Sequence, residues 1–468
     1  MDTSYLELLD ASRLLRTGQL SALELTRAQI ARIERLDPQL HAFARFAPEA
    51  ALAQARERDA ELARGDWRGP LHGVPLALKD LFHERGAVTA AGTAVYRDFR
   101  AASDATVVTR LKAAGAVLLG SLQLTEGAYA THLPPIVPPQ NPWHADYWSG
   151  ASSSGSGVAV AAGLCFGSLG TETGGSIHLP SAVNGVTGLK PSWGRVSRHG
   201  VFELAATLDH VGPLARSAAD AAALLAAIAG ADNDDPTAAR AAVPDYLAGL
   251  NESLAGVRIG LDEDFAFGGV DAVTVAAMRA AIATLVALGA RIVPLRFPDV
   301  TQMVSDWFPL CAVQTAVAHA ASYPARKSEY GQALSDLIEL GRGLSGMEYQ
   351  RLILRREEFR GRLNALFDEV DMLVLPVMTF SATTLDRMLQ VDDELIMGVH
   401  RYTCAFTMSG HPAITFPCGM SNEHTPLACQ LVAGHFDEAR LLAAAYAYQQ
   451  ATSWHTLHPQ IWNCRAPP

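Results

Sequence analysis

Cysteine is scarce in this chain, and its spacing excludes two structural classes. The six cysteines among 468 residues form no CxxC pair and follow no disulfide framework. They therefore indicate neither a small disulfide-stapled protein nor a zinc site built on cysteine pairs. We expect reduced, mostly buried thiols in a cytoplasmic protein. The cysteines stand at positions 165, 311, 404, 418, 429 and 464.

Long apolar runs and basic clusters are also missing. No window reaches the ~18 uninterrupted apolar residues of a membrane-spanning helix. The opening MDTSYLELLDASRLLRTGQL lacks the basic segment and apolar block of a signal peptide. The net charge of -11 is spread along the chain, whereas a nucleic-acid platform would show a basic face. We therefore expect neither a membrane nor a nucleic-acid partner.

The signature strings of several enzyme classes are absent as well. The chain has no GxSxG nucleophile elbow, no Walker A loop, no HExxH and no SxxK. Its 15 histidines do not fall at metal-ligand spacings with the cysteines. Metal-dependent and nucleotide-phosphate chemistry therefore lack support, and we expect neither a metal nor a cofactor.

Helical and strand-like segments alternate along most of the chain. Capping boxes at Ser21/Glu24 and Ser217/Asp220 begin two of the predicted helices, and Pro38 is expected to end the first of them. Strands alternating with longer helices favour an α/β sheet covered by helices on both faces. The strand-like segments are 76–78, 117–120, 164–169, 257–260, 291–295, 372–375, 413–416 and 427–432.

The chain shows no repeat and no flexible linker, so we expect one domain over residues 1–468. Within it we predict an N-terminal helical segment over 1–65 and a catalytic core over 70–220. Residues 301–360 are helical and change from a mixed apolar and aromatic composition to a charged one. We interpret them as an insertion covering the active site; a separate domain is the alternative, which the lack of a flanking linker disfavours. A proline-rich loop over 130–144 is expected to line the same site, because loops on a rigid sheet often do so.

One lysine and two glycine-flanked serines remain as candidates for chemistry. Lys79 ends a short apolar strand, where burial would lower its pKa towards that of a general base. Ser152 lies in a turn of small residues, and Ser176 follows Gly174 and Gly175, whose backbone N–H groups a ligand could approach closely. Residue chemistry alone leaves purely structural alternatives open. The serines around Ser152 could cap a helix, Ser176 could lie in an ordinary turn, and Lys79 could be solvated.

The longest of these motifs resembles a known family. The block GASSSGSGVAVAAGLCFGSLGTETGGSIHLPSAVNGVTGLKP is similar to the signature of the amidase signature family, and GPLHGVPLALKD resembles its lysine segment. HPAITFPCGM, LVAGHFDEARLLAAAYAYQQAT and the N-terminal TGQLSALELTRAQIARIERLDPQLHAFA extend the likeness to nearly the whole chain. The resemblance implies the fold of that family, with a mixed, mostly parallel central β-sheet.

The resemblance also implies roles for single residues. It makes Ser176 the nucleophile, Ser152 a bridging serine that relays a proton, and Lys79 the general base. It places a cis peptide bond between Ala151 and Ser152. The implied oxyanion hole consists of backbone N–H groups, those of Thr173, Gly174, Gly175 and Ser176.

The chain departs from the family pattern at three places, of which the His178 position bears on the substrate. Gly-Ala-Ser-Ser-Ser-Gly replaces the usual Gly-Gly-Ser-Ser-Gly-Gly, Glu172 stands where Asp is common, and His178 stands where many members carry Arg. His178 either contacts the substrate as a titratable group or only packs. Further candidates for substrate contact come from the proline-rich loop and the helical insertion: Tyr129, Thr131, His132, Trp307, Cys311, Gln314 and His319.

The implied activity is hydrolysis of a small or medium-sized carboxamide, or of a related urea or carbamate, with release of ammonia or an amine. The alternative within enzymes is the glutaminase subunit of a tRNA-dependent amidotransferase. A catalytically inactive binding protein on the same fold is the alternative from another class. A small-molecule amide is the expected partner, and a homodimer is a prediction from fold alone.

Overall fold

A computed structural model describes residues 3–381 and 383–461. One 11-stranded sheet runs through these residues. In chain order its strands are β1 Phe43–Phe46, β2 Pro75–Lys79, β3 Val117–Leu122, β4 Gly167–Glu172, β5 Thr187–Lys190, β6 His210–Ala215, β7 Arg258–Leu261, β8 Arg291–Pro294, β9 Met372–Pro376, β10 Ala413–Met420 and β11 Pro426–Ala433. Across the sheet they follow the order β1-β3-β2-β4-β6-β5-β10-β11-β9-β7-β8.

The sheet is mixed, as expected, but parallel pairing does not predominate. Within the described chain, four neighbouring pairs are parallel, namely β2–β3, β2–β4, β7–β8 and β7–β9. The other six pairs are antiparallel. Part of the reason is local, because only antiparallel strands can be joined by a turn as short as the one between β10 and β11.

Helices cover both faces of this sheet. In chain order they are α1 Leu8–Arg16, α2 Ala22–Leu40, α3 Pro48–Ala63, α4 Thr106–Ala113, α5 Ser154–Ala161, α6 His178–Asn184, α7 Ala218–Ile228, α8 Glu263–Phe267, α9 Ala272–Ala287, α10 Thr301–Ala318, α11 Tyr323–Arg326, α12 Gln332–Gly343, α13 Gly346–Glu369, α14 Leu385–Met388, α15 Asp393–His400, α16 Cys404–Ser409 and α17 Glu438–Ala451. α7 and α9 both pack on α17, whereas α5 and α6 form a second group that packs on the same sheet.

Most of the predicted elements are present, with shifts at their ends. Both serines cap their helices, with Ser21 accepting from the backbone N–H of Glu24 and Ser217 accepting from the backbone N–H of Asp220. Only Ser21/Glu24 forms the complete capping box, because the Asp220 carboxylate accepts from the N–H groups of Leu8 and Leu9 instead. Pro38 does not end α2, which continues to Leu40. Proline in the last turn removes one i→i−4 hydrogen bond and leaves the preceding turns intact.

The segment over 1–65 contains β1 in addition to its helices. β1 pairs antiparallel with β3, although its residues carry no alternating pattern long enough to predict a strand. The predicted insertion over 301–360 is helical, and four helices from α10 to α13 fill it. The proposed division of the chain into one domain with these parts stays a prediction.

The cysteine prediction holds for the residues that the structure covers. Cys165, Cys311, Cys404, Cys418 and Cys429 are free and buried. Cys464 lies outside the described residues. No helix among residues 3–381 and 383–461 has the length and apolar character that crossing a membrane requires.

Candidate active site

Lys79 lies at the carboxyl end of β2, between the two strands that run parallel to it. β3 and β4 flank β2, so the lysine enters the site from the interior of the sheet and is fully buried. Its Nζ donates to Ser152 Oγ at 2.8 Å and to Thr171 Oγ1 at 2.9 Å. The predicted contact between the lysine and the bridging serine is therefore present.

The surroundings of Lys79 favour its neutral form. Burial lowers the pKa of Lys79 to about 7, because a charged ammonium loses its hydration inside the protein. The carboxylates of Asp209 and Glu172 act in the opposite direction and raise this pKa, without restoring it to the ordinary value. A lysine that is neutral near pH 7 can accept a proton from the serine to which it is bonded.

Ser152 is held in the turn that precedes α5. The hydroxyl of the adjacent Ser153 donates to the carbonyl of Thr171 at 3.2 Å, so the turn is attached to β4 next to the lysine. The peptide bond between Ala151 and Ser152 is cis, as the resemblance implied. Ser152 itself is buried.

Ser176 lies on the loop that joins β4 to α6. Because β2 and β4 are parallel neighbours, their carboxyl ends meet at one edge of the sheet, which brings this loop to the edge where Lys79 ends its strand. Ser176 is half-buried, and its hydroxyl forms no hydrogen bond with any other residue in the described ranges. Its oxygen is thus available to a reactant.

The backbone of the Thr173–Ser176 loop is held from outside the sheet. Trp307 Nε1 donates to the carbonyl of Thr173 at 2.7 Å, and the hydroxyl of Thr173 donates to Asp209 Oδ1 at 2.6 Å. Thr403 Oγ1 donates to the carbonyl of Gly174 at 2.7 Å. Two of these bonds use carbonyl groups of the loop, and the N–H groups of Gly174, Gly175 and Ser176 donate to no residue in the described part of the chain.

Glu172 and His178 form a buried pair at the start of α6. His178 Nδ1 lies 2.9 Å from Glu172 Oε2, and the same oxygen accepts the backbone N–H groups of Ile177 at 2.8 Å and His178 at 3.0 Å. Burial alone would raise the pKa of Glu172, but the neighbouring His178 and these bonds hold it below its usual value. The His178 ring is thus held by Glu172, at the end of β4, and its contact with a substrate stays a prediction.

The proline-rich loop contacts the start of α5 through His132, and its lining of the active site stays a prediction. His132 Nε2 lies 3.0 Å from Ser154 Oγ, in the first turn of α5, and burial lowers the pKa of His132 to about 4. Tyr129 is half-buried, and burial raises the pKa of its hydroxyl. Thr131 is exposed, and its carbonyl accepts the N–H of Glu126 at 2.8 Å.

Among the predicted contacts in and beside α10, Trp307 hydrogen-bonds to the loop, whereas the others form hydrogen bonds to residues elsewhere. Trp307 is buried against the Thr173–Ser176 loop. Gln314 bonds to the backbone N–H of Thr207 at 2.8 Å, and Cys311 lies fully buried. His319, just after the helix, bonds to the hydroxyl of Tyr330 at 3.0 Å. Substrate contact by these residues is untested.

Four residues of the site were not predicted from the sequence. Thr171 bonds to Lys79, Asp209 bonds to Thr173, and His400 and Thr403 both contact the carbonyl of Gly174. Thr171 could have been found, since it precedes Glu172 in the GTETGGS motif. The other three come from distant segments with no local pattern. The described residues include no group of three or more His, Cys, Asp or Glu side chains arranged to hold a metal ion.

Comparison with known proteins identifies the class of this protein as that of the amide hydrolases. A family model named Amidase matches residues 24–442. The chain belongs to the amidase family, since this match covers most of its length.

Individual relatives agree with this assignment. The chain is 48% identical over 463 residues to the protein of Mycobacterium tuberculosis (strain ATCC 25618 / H37Rv) named "Putative amidase AmiD", with 98% of this chain and 96% of that protein covered. It is 37% identical to a subunit of the glutamyl-tRNA(Gln) amidotransferase of Methylococcus capsulatus, with 95% and 96% covered. The solved peptide amidase of Stenotrophomonas maltophilia superposes with a TM-score of 0.84 at 31% identity, with 98% and 99% covered.

Proposed function

We propose that this amidase hydrolyses the C–N bond of a carboxamide through an acyl-enzyme on Ser176. The observation that carries the proposal is the 2.8 Å bond between Lys79 Nζ and Ser152 Oγ, at a lysine that is fully buried and has a pKa of about 7. An ordinary surface lysine stays charged at neutral pH and cannot serve as a base.

In the acylation step Ser176 Oγ attacks the carbonyl carbon of the amide. The proton of Ser176 passes to Ser152 Oγ while the proton of Ser152 passes to Lys79 Nζ. The negative charge that develops on the substrate oxygen is stabilised by backbone N–H groups of the Thr173–Ser176 loop, a contribution that reaches ~2.7–4 kcal/mol per donor. The C–N bond then breaks, and the departing nitrogen receives a proton through the same relay.

In the deacylation step a water molecule attacks the ester on Ser176. Its proton enters the relay of Ser152 and Lys79, the bond between the acyl carbon and Ser176 Oγ breaks, and Oγ recovers a proton. The products are a carboxylic acid and ammonia or an amine. A urea or carbamate would react by the same steps, because it also presents a carbonyl carbon bonded to nitrogen.

A second candidate function rests on one of the relatives. The 37% identity to an amidotransferase subunit supports a glutaminase that delivers ammonia within a complex. The 48% identity to a protein named as an amidase favours a chain that acts alone. An inactive binding protein is disfavoured by the bond between Lys79 and Ser152. The cytoplasmic location and the homodimer stay predictions.

The test uses the purified chain alone and measures ammonia or amine release from a panel of primary, peptide and aryl amides that includes glutamine. Ser176→Ala should lower turnover by at least ~10³-fold, as removal of a nucleophile does in other serine enzymes. Ser156→Ala is a matched control, since Ser156 is a buried serine that bonds to Ser168 rather than to Lys79. Its activity should stay close to that of the parent.

Three outcomes separate the candidates. Release from several amides by the parent, lost in Ser176→Ala, supports the proposed amidase. Release from glutamine alone supports the amidotransferase subunit. Full activity of Ser176→Ala contradicts the assignment of the nucleophile.

A further inference from the structure

We infer that Trp307, His400 and Thr403 are positioning residues that orient the oxyanion hole. Together they hold the carbonyl groups of Thr173 and Gly174 so that the opposite edges of the same peptide groups face the reacting oxygen. The inference rests on the proposed function and adds to it three side chains from the second half of the chain.

The bonds converge on two consecutive peptide groups. Trp307 Nε1 donates to the carbonyl of Thr173 at 2.7 Å. The carbonyl of Gly174 accepts from Thr403 Oγ1 at 2.7 Å and from His400 Nδ1 at 3.1 Å. Two of the three donors are buried and His400 is half-buried, so water competes little for these bonds.

Because the peptide group is planar, a hydrogen bond that fixes its C=O also fixes the direction in which its N–H points. In a trans peptide the C=O and the N–H of one plane point in opposite directions. The carbonyl of Thr173 shares its plane with the N–H of Gly174, and the carbonyl of Gly174 shares its plane with the N–H of Gly175. Fixing the two carbonyls towards Trp307 and Thr403 therefore turns both N–H groups away from these side chains.

Those N–H groups are unused in the protein. The N–H groups of Gly174, Gly175 and Ser176 donate to no residue within the described part of the chain. A buried backbone donor without a partner is rare in folded proteins. Adjacent unpaired donors beside a glycine-flanked serine are an arrangement suited to a developing oxyanion.

Close packing shows why both loop positions carry glycine. A Cβ on Gly174 would lie 2.6 Å from the ring of Trp307, and a Cβ on Gly175 would lie 3.0 Å from Thr403 Oγ1. Gly175 also has a φ of +138°, which side-chain-bearing residues rarely adopt. The loop thus lies directly against the side chains that bond to it, with no room for a side chain at either glycine.

His400 contributes as a neutral donor. A carbonyl oxygen only accepts, so the Nδ1 of His400 carries the proton in this bond. Burial lowers the pKa of His400, which keeps the ring neutral near pH 7. Its ring also stacks on the ring of Trp307 with the centroids 5.3 Å apart, so each ring limits the movement of the other.

Variants that remove a single donor test the inference. Thr403→Val removes the hydroxyl at nearly constant shape, Thr403→Ser retains it, and Trp307→Phe removes the indole N–H but keeps a ring. Tyr402→Phe is the matched control, since Tyr402 donates to the carbonyl of Phe265 at 2.9 Å and not to the loop. Each variant is first checked for folding by circular dichroism and thermal melting.

The readouts are the kcat and KM for amide hydrolysis and the rate of labelling by a fluorophosphonate. In the labelling reaction Ser176 Oγ attacks phosphorus while its proton passes through Ser152 to Lys79, the P–F bond breaks and fluoride leaves. The rate depends on the oxyanion hole because negative charge develops on the phosphoryl oxygen. Thr403→Val and Trp307→Phe should lower kcat and the labelling rate by about tenfold or more, with KM within about threefold, because the hole acts on the transition state. Thr403→Ser and Tyr402→Phe should stay close to the parent.

The two proposals fail in different ways. If the parent is not labelled on Ser176, the proposed function fails. If the parent is labelled and folded Thr403→Val and Trp307→Phe keep its rates, the positioning role is overturned. Equal losses in Thr403→Val and Tyr402→Phe, or a loss confined to KM, would also overturn it. If either Thr403→Val or Trp307→Phe fails to fold, the rates of the other variant test the positioning role.

Discussion

Activity should depend on the protonation of Lys79, with an acid limb centred near pH 7. Burial lowers the pKa of this lysine to about 7, and the relay to Ser152 needs the neutral amine. The protonated form predominates below pH 7 and cannot accept a proton. The rate should therefore rise with pH through 7 and level off above it, provided that the protein stays folded.

The size of the effect follows from the titration of one group. Below the midpoint the neutral fraction falls about tenfold per pH unit, so the rate at pH 5 should be about one hundredth of the plateau. Asp209 raises the pKa of Lys79, and its carboxylate lies beside the site through its bond to Thr173. Asp209→Asn should therefore move the limb to lower pH. The rate of this variant at pH 5, relative to its own plateau, should therefore be higher than that of the parent.

The assay is kcat/KM for a neutral amide between pH 5 and 9, since this parameter reports the free enzyme. Relative rates within each variant separate the shift of the limb from any loss caused by the broken bond to Thr173. Glu203→Gln is the matched control, because Glu203 is a half-buried carboxylate near Asp209 that does not contribute to the pKa of Lys79. A limb centred near 10, or a limb that Asp209→Asn moves to higher pH, would refute this account of the base.

Two further predictions concern packing and a buried ion pair. Gly174→Ala places a methyl group 2.6 Å from the Trp307 ring, so we expect a loss of ~1–3 kcal/mol in unfolding free energy together with reduced activity. The double variant Gly174→Ala, Trp307→Leu should regain stability but not activity. Unchanged stability of Gly174→Ala alone would contradict the close packing. Glu438→Ala leaves the buried guanidinium of Arg195 unpaired and should destabilise the fold by ~3–5 kcal/mol in chemical denaturation, whereas the exposed Glu423→Ala should change stability by less than ~0.5 kcal/mol.

Elements with a strong periodic or capping pattern could be predicted from the sequence, whereas strands rich in small residues could not. The apolar run ending at Leu169 placed the fourth strand too early, since β4 spans Gly167–Glu172. Its glycines lack strand propensity and are present because neighbours lie close: a Cβ at Gly170 would lie 2.9 Å from Ser153 Oγ. β5 and β6 were missed for a related reason, since each carries a glycine and β6 carries a proline as well.

The candidate site divides in the same way. Lys79, Ser152 and Ser176 lie in motifs that resemble those of the amidase signature family. Their roles could therefore be hypothesised from the sequence through that resemblance. The partners of the loop could not, because a hydrogen bond from Thr403 to Gly174 leaves no trace in the spacing of either segment. Glu172 lies within the motif, but its bonds to the backbone N–H groups at the start of α6 could not be predicted from the motif.

The long sequence separation between the Thr173–Ser176 loop and its donors has a consequence for synthesis. Trp307 follows Thr173 by 134 residues, and Thr403 follows Gly174 by 229 residues. A ribosome adding about 5–20 residues per second needs on the order of 10–50 s to cross the longer interval. During that time the emerging chain already carries its lysine and both serines, but not the side chains that orient the oxyanion hole. The nucleophile is thus made well before it can be used, and a polypeptide that stops short of residue 403 lacks part of the arrangement inferred for catalysis.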